Sequence, residues 1–270
     1  MILSAATIAL VPQIQKGPWI YWNDLGKSLI QASEVGFDGV ELFTESDQSL
    51  DPEFLRKRLA MHSLKLAAVG TGAGKVIRGL TLTDPNPEIR KEAISFISRM
   101  ISFGAKFGAP AIIGSMQGNV PIGGDREQTL DFLRDALELL GKKAGEEGVF
   151  LLYEPLNRYE TNLINTLEGG ARFLDSMKTG NVRLLADLFH MNIEEVNLVE
   201  SLRKYGKYVG HVHLADSHRG PMGLGHTDFK SIAEVLKEMN YSGFVSAEAF
   251  PWPDSEAAAR ITMDTFRKNF

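Results

Sequence analysis

Cysteine is absent from the 270-residue chain. That excludes a disulfide framework, a thiolate-held zinc or iron–sulfur site, and a thiol nucleophile. An excess of basic residues is absent too: 29 Lys+Arg face 34 Asp+Glu, a formal net charge of −5. A nucleic-acid binder needs clustered cations to neutralise phosphates, so no nucleic-acid partner is expected. No apolar run approaches the roughly 20 residues that cross a bilayer, so no membrane contact is expected. The first ten residues are apolar but lack a basic start and a clear cleavage pattern. They read as a buried strand rather than a leader, and a cytoplasmic protein is expected. What remains is ordinary globular composition, 44% hydrophobic and 23% charged, which excludes a disordered or fibrous chain.

Against these absences stands one regular beat. Short apolar runs occur at 2–8, 39–43, 66–69, 111–114, 149–153, 182–186, 209–214 and 244–247. Helix-like patterns fill the intervals, at 24–35, 87–107, 127–146, 166–177, 193–205 and 228–239. Gly36, Gly108, Gly148, Gly180, Gly206 and Gly243 stand where those helices should stop. Near-continuous apolar strands separated by helices signal a parallel sheet covered on both faces. Eight units of roughly 34 residues each are what a (β/α)8 TIM barrel requires. An open doubly wound sheet would show a Gly-rich dinucleotide turn after its first strand, and Leu10-Val11-Pro12-Gln13 is no such turn. No linker or charge run divides the chain, so the expectation is one α/β barrel domain over residues 1–270.

Barrel chemistry sits at the C-terminal ends of the strands. The fifth run ends in Glu154, the sixth in Asp187, the seventh in His213 and the eighth in Glu248. Consecutive strands thus deliver one ionisable group each to a common rim. Three carboxylates and an imidazole would repel strongly there unless a cation sat between them. One divalent metal solves the problem. Oxygen-rich ligation with a single nitrogen suits Mn²⁺ or Mg²⁺, with Co²⁺ or Zn²⁺ also tolerable, and Mn²⁺ is the expected ion. The bland alternative is a buried ion-pair cluster, or charges that simply face water. Nearby lie His190, three residues past Asp187, Arg219, six past His213, and Glu160, six past Glu154. Loops beyond strand ends are where binding residues concentrate. His211 shares the side of its strand with His213 and lies deeper, as a partner behind a ligand or as a core histidine.

Other features carry less. The stretch 70–75 looks like a phosphate loop but lacks Gly at Val69 and Ser or Thr at Val76, so it reads as a flexible loop. Trp19, Tyr21 and Trp22 read as core or interface packing. His62 reads as structural, within a helical segment. Pro251, Trp252 and Pro253 form a stiff aromatic loop, a pocket wall or subunit contact.

From Glu154-Pro155-Leu156-Asn157-Arg158-Tyr159-Glu160-Thr161, through Asp187-Leu188-Phe189-His190 and Gly210-His211-Val212-His213 with Arg219, to Ala247-Glu248, the chain resembles the xylose-isomerase-like barrel superfamily. Within it, this half is similar to the D-tagatose 3-epimerase and D-psicose 3-epimerase group. The first half matches only in rhythm. The resemblance implies metal ligands at Glu154, Asp187, His213 and Glu248, and catalytic carboxylates at Glu154 and Glu248. It implies substrate-positioning roles for Glu160, His190 and Arg219, a small sugar as partner, and a homodimer or homotetramer.

The expected activity is metal-dependent epimerisation or isomerisation of a ketose or related sugar. A proton is taken next to the carbonyl, and a metal-stabilised enediolate results. Aldose–ketose or hydroxypyruvate isomerisation and polyol dehydration are the alternatives of the same superfamily. A repair endonuclease of the same barrel shape would need further His ligands, and neither Val69-Gly70 nor Gly114-Ser115-Met116 supplies one.

Overall fold

The structure is a computed structural model and describes residues 1–270. Eight parallel strands close on themselves: β1 (Leu3–Leu10), β2 (Gly39–Thr44), β3 (Lys65–Gly70), β4 (Ala111–Ile113), β5 (Leu151–Tyr153), β6 (Val182–Asp187), β7 (Val209–Leu214) and β8 (Phe244–Ala247). Closure is made by β1 against β8, with Leu3 opposite Phe244 and Ala6 opposite Ala247. A two-residue strand, Tyr21–Trp22, pairs with β1 outside the barrel. The expected (β/α)8 architecture is therefore present, with each apolar run in its own strand.

Alternation along the strands divides the core in two. Ala68, Ile112, Leu152 and Leu185 form a small buried cluster inside the barrel. A larger cluster of 63 buried residues fills the space between sheet and helices. Most of the helices begin on a side chain that accepts a backbone N–H, among them Asp24, Asp125, Thr166 and Asp228. Asp51-Pro52 and Asn86-Pro87 add a proline in the first turn, where no N–H is needed. No helix is long and apolar enough to cross a membrane.

Three expectations are corrected here. The stretch 70–75 is not a loop throughout: Ala73–Arg78 is a short helix, closed by Gly79 in left-handed conformation. The pattern over 193–205 is two helices, Leu188–Glu194 and Leu198–Tyr205, because Asn197 caps the second through Glu200 N–H. Of the six glycine stops, Gly36, Gly108 and Gly148 hold positive φ, whereas Gly180, Gly206 and Gly243 do not. At Gly206 a Cβ would lie 2.2 Å from Met239 Cε, the movable end of a partly exposed side chain.

The interior cluster has few members, so each one matters. Leu185→Ala should lower stability by about 2–5 kcal/mol through the cavity it leaves. Urea denaturation of the variant checks this, with the far-ultraviolet circular dichroism expected to be unchanged.

Candidate metal centre and active site

Above the interior cluster the barrel turns polar. Register explains how the four strand-end groups meet. Asp187 lies directly opposite His213 across β6 and β7. Glu154 and Glu248 each extend the sheet ladder one residue past their strands, donating N–H to Ile113 and Leu214 carbonyls at 3.0 and 3.2 Å. One ligand atom from each of Glu154, Asp187, His213 and Glu248 lies within 4.8 Å of every other. His213 Nδ1 is 3.5 Å from Asp187 Oδ2, 3.6 Å from Glu248 Oε2 and 3.8 Å from Glu154 Oε1.

Asp187 and His213 are each aimed by their second polar atom. Asp187 Oδ1 caps the helix Leu188–Glu194, accepting N–H groups of Phe189 and His190 at 2.7 and 3.1 Å. Its other oxygen, Oδ2, is buried without a hydrogen-bond partner. His213 is turned by Glu41, whose Oε1 and Oε2 lie 3.1 and 3.2 Å from Nε2. With the ring proton on Nε2 facing that carboxylate, the lone pair of Nδ1 points into the cluster, and Nδ1 is likewise buried and unpartnered. Gly114 makes room for Glu154: a Cβ there would lie 2.4 Å from Oε2. Two orphaned ligand atoms, a carboxylate-backed imidazole and a hard oxygen set fit a single divalent cation.

The electrostatics agree. Burial pushes the Glu154 carboxyl well above the usual range, and Glu248 and Asp187 add to it against the pull of His213. Burial also works against ionised Asp187, but His190, His213 and Arg219 outweigh it and hold Asp187 low. His213 shows the converse: burial disfavours its charge, yet Glu41, Glu248 and Asp187 raise its basicity well above the ordinary value. The field at this point attracts positive charge.

Around the cluster lie the other residues singled out from the sequence. Arg219 donates to Glu160 Oε1 and to Glu248 Oε2, both at 3.1 Å, and its guanidinium carbon lies 4.7 Å from the Phe189 ring centre. Burial opposes its charge, but Glu248, Asp187 and Glu160 more than compensate and raise its pKa. His190 is buried, with Nε2 3.8 Å from Glu154 Oε1. All of Glu154, Glu160, His190, His213, Arg219 and Glu248 line one open-mouthed cavity. Trp19 lines it as well, its ring 4.6 Å from that of Phe43. The expected packing role holds for buried Tyr21 and for Trp19, which packs on Trp22 and Phe43 and also presents a face to the cavity. Trp252 stacks on Phe250 at the rim of a separate groove.

Glu41 is the residue that strand-end reasoning passes over. It sits inside β2 rather than beyond it, where the regular alternation that puts Phe43 on the cavity puts Glu41 on the same side of the strand. Besides His213 it meets His211, whose Nε2 lies 2.9 Å from Glu41 Oε2. His211 therefore stands beside the ligand's supporting carboxylate. Burial lowers its basicity, against the opposing effect of Glu41. The one available signal was a carboxylate within an otherwise apolar run.

Comparison with known proteins agrees with the architecture. The xylose isomerase-like TIM barrel family matches residues 29–269. The 3-dehydro-D-guloside 4-epimerase of Escherichia coli (strain K12) is 31% identical over 229 residues, covering 80% of this chain and 83% of that protein. The L-ribulose 3-epimerase of Methylomonas sp. (strain DH-1) is 29% identical over 235 residues, covering 85% and 80%. Among solved structures, an apo 3-keto-D-glucoside 4-epimerase from E. coli superposes with a TM-score of 0.81 at 25% identity, covering 99% of this chain and all of that one.

Removing the carboxylate behind His213 tests the centre. Glu41→Gln should weaken divalent-metal binding roughly 10–100-fold while leaving all four ligands in place. Calorimetric titration of metal-free protein with Mn²⁺ measures it.

Proposed function

The chain belongs to the xylose isomerase-like TIM barrel family, and on that premise we propose that it is a metal-dependent sugar epimerase. Its substrate is a ketose or a keto-sugar derivative, inverted at the carbon next to the carbonyl. The observation that carries the reading is the convergence of Glu154, Asp187, His213 and Glu248, with Asp187 Oδ2 and His213 Nδ1 buried and unpartnered. These four would hold the metal. A bound divalent cation supplies Lewis-acid polarisation of the substrate's carbonyl and neighbouring hydroxyl.

The chain's own groups account for the rest. A hydrogen on carbon beside a ketone is a very weak acid, so a base must be held against it. Inversion requires removal from one face and return to the other. Glu154 and Glu248 come from β5 and β8, with two strands between them. One takes the proton and the other returns it, and the roles exchange with direction. His190 and Arg219 hold the oxygens on the ketone side, and Glu160 sets the direction of Arg219.

The named relatives act beside a ketone at different carbons: C3 in the L-ribulose enzyme, C4 in the dehydroguloside enzyme. Both are proton transfers beside a carbonyl, so one apparatus serves either. Arg219 is the only Lys or Arg lining the cavity, and two carboxylates already engage it. A phosphate would find no free cation there, which favours an unphosphorylated sugar. The same reading carries Mn²⁺ as the resident ion and a cytoplasmic homodimer or homotetramer. Metal analysis and light scattering of the purified protein address these.

Glu154→Gln and Glu248→Gln should each lower kcat by roughly 10²–10⁴-fold with the fold retained. Wild-type protein incubated with Mn²⁺ and a panel of free, phosphorylated and glycosidic keto-sugars in D₂O should place deuterium at the inverted carbon, read by NMR. Product formed without solvent deuterium would overturn the two-base route.

A further inference from the structure

The pair Asn157 and His190 carries an inference that rests on the epimerase reading for its purpose but not for its geometry. His190 faces the cavity through Nε2, while Nδ1 points away from it toward the loop after β5. Two groups of Asn157 meet Nδ1: the side-chain Nδ2 at 2.7 Å and the backbone N–H at 3.3 Å. The orientation of the Asn157 amide is fixed independently. Its Oδ1 accepts the Tyr159 N–H at 3.0 Å, so Nδ2 is the atom turned to the ring. The nearest acceptor, Glu160 Oε1, lies 3.9 Å from Nδ1, beyond hydrogen-bond distance, so both groups within hydrogen-bond reach of Nδ1 are donors, and a nitrogen between two donors must accept. In neutral imidazole the proton then resides on Nε2, and the ring presents an N–H to the cavity.

The same amide reaches further. Asn157 Nδ2 also lies 3.2 Å from Glu160 Oε1, the oxygen that receives Arg219 Nη1. Arg219 in turn donates to Glu248. A single buried side chain thus links the imidazole, through Glu160, to the neighbouring guanidinium.

We propose that Asn157 is a positioning residue that locks His190 as an Nε2–H donor toward the substrate oxygen. No proton is transferred in this role. The fixed N–H meets negative charge as it grows on oxygen, a donor aimed in advance at the transition state. An imidazole of the opposite tautomer would present a lone pair to that oxygen and repel it.

The test uses Mg²⁺-loaded protein with ¹⁵N-labelled histidine, and His190→Gln identifies the His190 signals. In the wild type, long-range ¹H–¹⁵N correlation should show His190 Nδ1 unprotonated and Nε2 protonated. In Asn157→Asp a carboxylate replaces the donor, and Nδ1 should acquire a proton. The variant's kcat should fall roughly 10²–10³-fold with KM little changed, the mark of an interaction made in the transition state. A wild-type spectrum with the proton on Nδ1 would overturn the proposal even if the variant did not fold. So would an Asp variant that kept Nδ1 bare. The spectra need no substrate, so a failure of the whole sugar panel would remove the epimerase reading and leave the tautomer assignment to the NMR alone.

Discussion

Carboxylates do not gather in a dry interior without compensation, because each loses its hydration and repels the others. At the mouth of this barrel three of them meet one imidazole, and much of the surrounding structure serves that meeting. Asp187 divides its two oxygens between a helix N-terminus and the cluster. His213 divides its two nitrogens between Glu41 and the cluster. Gly114 gives up a side chain so that Glu154 can lie where it does. The arrangement is costly as a set of bare charges and would become stable as the coordination sphere of a cation.

A second layer of order sits in the loop after β7. Arg219 has φ of 64°, a left-handed conformation that costs an arginine energy. The turn is held from several sides. Arg219 N–H donates to Asp216 O at 2.7 Å, and Phe250 N–H donates to Arg219 O at 2.8 Å. The Asp216 carboxylate accepts N–H groups of Ser217, Gly223 and Thr227 at 2.8, 2.8 and 3.1 Å. Burial disfavours that carboxylate's charge, but the ring of backbone donors prevails and lowers its pKa. The loop spends its hydrogen bonds on placing one guanidinium between Glu160 and Glu248.

Much of this was legible before any coordinates. Parallel strands buried on both faces must be apolar along their length, so the eight runs announced themselves, and an ionisable residue ending such a run is conspicuous. That is why Glu154, Asp187, His213 and Glu248 stood out together. Glu41 did not, because it lies within its strand, and only the closed barrel reveals that β2 faces β7 across the interior. Asn157 was hidden differently: its importance depends on which way an amide turns, and no spacing encodes that. The stretch 70–75 reads as loop because Gly70, Gly72 and Gly74 crowd it, yet a helix starts at Ala73, and tertiary packing overrides the weak helix propensity of Gly74. A Cβ at Gly74 would lie 2.8 Å from Met116, so that glycine serves close approach rather than flexibility.

The far wall of the cavity has a similar character. Phe43 lies flat against bare backbone, for a Cβ on Gly70 would stand 2.9 Å from its ring and one on Gly72 3.0 Å. The ring can retreat only because those two carbons are missing. The bore of the pocket is thus set by what its neighbours omit, as much as by the bulk of the aromatic itself. One methyl at position 72 would crowd Phe43 and Ser115, both of which line the cavity, and reshape that wall without replacing any charged group. Engineers wishing to exchange a long sugar for a short one would find their simplest dial in these glycines, well apart from the groups that handle protons.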